Sequence, residues 1–112
     1  MNRKDEKSQL RPSVAGLEYR EIRGWILRFL YINLPEWVGD KLMSELLANG
    51  GYNVSEPSVQ GHYRYLAEKG FVEIKEVEIS EVGLTRTLAK LTSKGVDLVE
   101  GNIPDDPGVA RK

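Results

Sequence analysis

The chain has no cysteine and a single histidine, His62, so disulfides, thiolate nucleophiles and cysteine-based or multi-histidine metal sites are excluded at the outset. No apolar run approaches the ~20 residues that a membrane span needs. The opening stretch, MNRKDEKSQLRPSVAG, lacks the apolar centre of a signal peptide. A cytoplasmic protein that stays off the membrane is expected. Strong charge of one sign is missing too: the formal net charge is −1, so any surface for a polyanion has to be local. There is no glycine-rich phosphate loop, nucleophile elbow or metal motif. Asp105 and Asp106 sit side by side before Pro107 in a flexible polar tail, which gives neither the fixed geometry nor the perturbed environment that acid/base work requires. The expectation is a protein with no enzymatic activity, cofactor or metal.

What is present is enough for one core: 112 residues, 40% hydrophobic and 29% charged. Residues 1–16 read as a mildly basic flexible arm with Arg3, Lys4, Lys7 and Arg11. Ile22, Ile26, Phe29 and Leu30 then recur at helical spacing until Pro35, predicting a helix over 18–33. Gly24 inside it marks close packing, such as a helix crossing. Tyr19, Trp25, Leu27, Tyr31 and Ile32 fall outside that stripe, more apolar surface than a small core can cover, so a homodimer through helix 18–33 is expected.

Val38, Leu42, Leu46 and Leu47 predict a second helix that breaks at Gly50-Gly51. Ser55 is a good N-cap, Glu56 suits the positive end of a helix dipole, and Pro57 fits the first turn. The third helix buries Val59, Tyr63 and Leu66 and closes at Gly70. FVEIKEVEIS alternates through Val72 and Ile74, then slips phase to Val77 and Ile79, predicting a bulge or bend near Lys75-Glu76. TRTLAKL pairs with it through a turn at Gly83, and Thr92 caps a short last helix. The boundaries are an arm at 1–16, a folded domain at 17–101, and a tail at 102–112 that trails off after it.

Helix, helix, glycine turn, helix, hairpin, helix is the chain order of a winged helix-turn-helix domain, mainly α with a β-hairpin wing. Opposite the buried stripe of the third helix stand Pro57, Gln60, Gly61, Arg64 and Glu68, with Ser58 and Tyr65 on the flank. Gln60 and Arg64 are able to make bidentate contacts to adenine and guanine edges, and Gly61 permits close approach to a groove. Ser55 and Ser58 lie at the helix N-terminus, where a phosphate is favoured, and Arg86 lies on the wing. Together these eight residues, Ser55, Pro57, Ser58, Gln60, Gly61, Arg64, Tyr65 and Arg86, form the expected contact set for duplex DNA.

SEPSVQGHYRYLAEKGFVE resembles the recognition-helix segment of ArsR-type winged-helix repressors, in which a small polar cap, a proline, a valine, a histidine and a closing leucine-x-x-x-glycine recur. From about Gly24 to Lys112 the chain resembles small winged-helix proteins encoded by Mu-like transposable phages and prophages. VSEPSVQGHYRYLAEKGFV, LTSKGVDLVEG and PGVARK carry that likeness. The resemblance implies a transcription regulator acting in the cytoplasm of a bacterial host. Metal sensing does not carry over, because the cysteine and histidine clusters that serve it are missing. The wing also departs from a phosphate-binding pattern: Glu73, Glu76, Glu78 and Glu81 face a single lysine, Lys75, before Arg86. The alternative is a protein-interaction module that uses the acidic hairpin and helix 18–33 and never touches DNA. If Arg20, Arg23, Arg28 and Arg64 gather on one face, DNA binding gains, and if they scatter it fails.

Overall fold

The computed structural model describes residues 14–112; of the arm expected at 1–16, residues 1–13 lie outside the described residues, and Val14 to Gly16 belong to the first helix, which starts four residues before the expected Glu18. Helix α1 spans Val14–Ile32, strand β1 Val38–Gly39, helix α2 Asp40–Asn49 and helix α3 Glu56–Glu68. Strands β2, Val72–Ile79, and β3, Leu84–Leu91, form a hairpin, and helix α4 spans Ser93–Glu100. Among the described residues four helices thus pack with a three-stranded antiparallel sheet of order β1-β3-β2.

α1 buries Ile22, Ile26 and Leu30 as its periodicity requires, and Leu27 as well. Leu27 and Gly24 line a cleft shared with Leu98 of α4 and Val109. The apolar surplus read from the sequence is therefore partly consumed inside the chain. Trp25 packs half-buried with its ring stacked on Phe29 at 5.8 Å, and Tyr31 donates a hydrogen bond to Glu100 at 2.7 Å. Val14, Leu17, Tyr19 and Ile32 remain exposed.

The second helix differs from its expected register. Val38 belongs to β1, where it pairs with Ala89, and Gly39 caps a helix that starts only at Asp40. Its buried face is Asp40, Met43 and Leu47, while Leu42 points to solvent. α3 forms as its sequence demands. The Ser55 hydroxyl accepts from the Ser58 N–H at 3.3 Å, and Val59, Tyr63 and Leu66 are fully buried. Burying Val59 and Leu66 contributes roughly 1.5–3 kcal/mol each. Gly70 ends the helix in the left-handed region (φ 83°), turning the chain directly into β2.

The hairpin carries no bulge: eight consecutive pairs run from Val72–Leu91 to Ile79–Leu84. The phase slip places Val77 and Ile79 on the sheet face opposite Val72 and Ile74, since the ladder between them is unbroken. Only the base of the hairpin has a core to cover, and from Lys75 onward β2 is exposed.

Residues 102–112 do not trail off. The Ala110 N–H donates to the Arg20 carbonyl at 2.9 Å, Arg28 donates to the Lys112 carbonyl, and Val109 is buried. Gly24 marks this close approach and not a helix crossing: a Cβ there would stand 2.2 Å from the Ala110 carbonyl oxygen.

Candidate nucleic-acid interface

Helix α3 is fixed on three sides by polar contacts that its apolar stripe does not announce. Underneath, the Tyr63 hydroxyl donates to the Val38 carbonyl at 3.0 Å, and burial, followed by the charge of Asp40, raises the phenol pKa well above its usual value. Beside it the Gln60 amide donates to the buried Asp40 carboxylate at 2.6 Å, whose other oxygen accepts from the Lys41 N–H. Along the flank facing α1, the Arg23 Nε donates to His62 Nδ1 at 3.2 Å, while the Tyr19 ring meets the imidazole edge-on. Burial, helped by the Arg23 charge, lowers the His62 pKa to about 4, so the ring is neutral at pH 7 and serves as an acceptor.

Arg23 also donates to the Gly108 carbonyl and lies 3.7 Å from the centroid of the Tyr65 ring. The Tyr65 hydroxyl in turn donates to Asp106 at 3.0 Å, and Lys69 pairs with the same carboxylate at 3.5 Å. Burial works against the Asp106 carboxylate, but the Gly108 N–H, the Tyr65 hydroxyl and Lys69 outweigh it and hold its pKa below the ordinary range. Asp106 thus has the fixed geometry that a flexible tail could not give it, in a structural role beneath α3.

Each expected contact residue can now be placed. Ser55, Pro57, Ser58, Gly61 and Arg64 share the exposed side of α3. Arg64 has no hydrogen bond or ion pair among the described residues. Gln60 is half-buried and tied to Asp40, Tyr65 is held by Arg23 and Asp106, and Arg86 is paired with Glu56 at 3.7 Å. These three are held by residues of other elements, while the hydroxyls of Ser55 and Ser58 bond only within that pair of residues, so the exposed set narrows to Ser55, Pro57, Ser58, Gly61 and Arg64.

The four arginines do not form one exposed set. Arg23 and Arg28 are turned inward by the returning tail, leaving Arg20 and Arg64 with exposed side chains. The support that a common basic face would have lent to DNA binding is absent. Sequence reasoning also missed Asp40 and the tail. Asp40 offered no signal, being an acidic residue at a helix start, where charge normally faces water. Ile103 and Val109, the two branched aliphatic residues of the tail, were the available hints of its docking.

No protein-family model matches this chain, and no curated protein is significantly similar to it.

Proposed function

We propose that this chain is a winged helix-turn-helix protein that binds duplex DNA with α3 in the major groove, as a transcription regulator of a phage or prophage. Gly61 carries the reading. A glycine inside a helix costs about 1 kcal/mol against alanine, and nothing among the described residues calls for one here, since a Cβ at Gly61 would meet none of their atoms within 4 Å. A bare backbone on the exposed side of a rigidly seated helix, one turn from an unpaired arginine, suits close approach to a groove with Arg64 reading a guanine edge. Ser55 and Ser58 at the N-terminus of α3 suit a flanking phosphate. The resemblance of SEPSVQGHYRYLAEKGFVE to ArsR-type recognition helices points the same way.

The homodimer belongs to the same proposal on a reduced basis, the exposed Val14, Leu17, Tyr19 and Ile32 of α1. Two copies of α3 about one helical turn of DNA apart would read a palindromic site. The test is binding of the full chain to duplex fragments at two salt concentrations. Affinity that falls with salt on all duplexes, with one fragment class retained preferentially, supports the reading, and no affinity at low salt ends it.

A further inference from the structure

From Lys75 onward β2 is exposed, while on β3 burial reaches as far as Thr87, and the unbroken ladder sorts the side chains into two unlike faces. Glu76 and Glu78 lie on one, opposite Thr87 and Thr85. Val77 and Ile79 lie on the other, opposite Arg86 and Leu84. With Val82 in the turn, Val77, Ile79 and Leu84 are between 38% and 61% exposed, an apolar surface that nothing among the described residues covers.

The hairpin's cations are already engaged. Lys75 and Lys90 lie 4.4 and 5.1 Å from the centroid of the Trp37 ring, and Arg86 pairs with Glu56. Glu73, Glu76, Glu78 and Glu81 have no ion pair among the described residues. β2 is also an edge, hydrogen-bonded to β3 on one side and to no strand on the other among the described residues. Such an edge is a template for strand addition. A second copy of β2 is disfavoured as the occupant: with Glu73, Glu76 and Glu78 against Lys75, two copies bring like charges together.

We infer that the open edge of β2, with the hairpin's apolar face, is the docking site for an extended segment of a partner protein in which lysine or arginine alternates with aliphatic residues. An added strand has the same period of two, so its basic side chains fall beside Glu76 and Glu78 while its aliphatic ones extend the row of Val77 and Ile79. The inference does not depend on DNA binding by α3. It accounts for a wing that is acidic where phosphate contact would call for cations.

The probe is a synthetic octapeptide with lysine and valine alternating, titrated into the isotope-labelled full chain and followed by amide shifts. Octapeptides alternating lysine with serine and glutamate with valine are the controls. The lysine–valine peptide should shift the amides from Glu73 to Ile79. Replacing valine by serine, or using the Glu76→Lys/Glu78→Lys chain, should weaken binding about tenfold. The glutamate–valine peptide should not bind. The double variant should melt like the wild type and keep whatever DNA affinity the wild type has, so failure here is separable from failure of the DNA reading. Equal binding to wild type and double variant, shifts confined to α1 or α3, or no shifts at millimolar peptide would each overturn the inference. Concentration-dependent shifts of the same amides without peptide would assign the edge to a second copy and overturn it equally.

Discussion

Gly61 and His62 are neighbours in sequence with opposite tasks. Gly61 faces outward and weakens the helix, so Gly61→Ala should stabilise the chain by about 0.5–1 kcal/mol in urea unfolding. The same methyl group should reduce DNA affinity, because it fills the only stretch of bare backbone on the exposed side of α3. Alanine that stabilises and leaves binding unchanged would remove the reason given for the glycine. His62 faces inward as a neutral acceptor for Arg23, with its pKa lowered from 6.5 to about 4. Between those values the unfolded chain binds the extra proton and the folded chain does not. Stability is therefore fully present above about pH 6.5 and falls as the pH drops toward 4, by on the order of 3 kcal/mol. His62→Asn retains an acceptor for Arg23 but cannot be protonated, so urea midpoints of that variant should lose most of their slope across this window.

At the scale of elements, α3 was almost wholly legible, because cap, proline, apolar spacing and terminal glycine all agree on one helix. Its anchoring was not. Asp40 is only 1% exposed and holds Gln60 across the junction of β1 and α2, a contact between residues twenty apart that no local pattern encodes. Asp40→Ala should leave the Gln60 amide without its acceptor and lower the unfolding free energy by about 1–3 kcal/mol, with Asp40→Asn recovering part of it. Equal stability of both variants and the wild type would make the contact incidental. The hairpin shows a different limit. Its phase slip was visible, but a bulge and an exposed second apolar face produce the same slip, and only the pairing of β2 with β3 distinguishes them. Strand β1 was hidden for a simpler reason: two residues are too short for any periodicity, and Val38 also fits the helical spacing that follows it.

For the molecule as a whole, the last eleven residues belong to the fold. They lie against Gly24 of α1, bury Val109 and place Asp106 under Tyr65 and Lys69, so the tail braces both α1 and the C-terminal half of α3. Gly24→Ala should displace it: the new methyl group collides with the Ala110 carbonyl, and the loss, about 1–3 kcal/mol, should exceed what alanine gains as a helix former. Proteolysis near Asp105 in the variant, absent in the wild type, would locate the damage in the tail. That bracing bears on function because it turns Arg23 and Tyr65 away from solvent and leaves Ser58, Arg64 and Glu68 as exposed polar side chains of α3, with the bare backbone of Gly61 between them. The most direct test of α3 as a reader is Arg64→Ala, measured on a duplex selected from random sequences by the wild-type chain and on an unrelated duplex. Loss of about 1–3 kcal/mol on the selected duplex, with relaxed preference at one base pair and little change on the other, is the predicted result. Equal affinity of variant and wild type on both duplexes would contradict it.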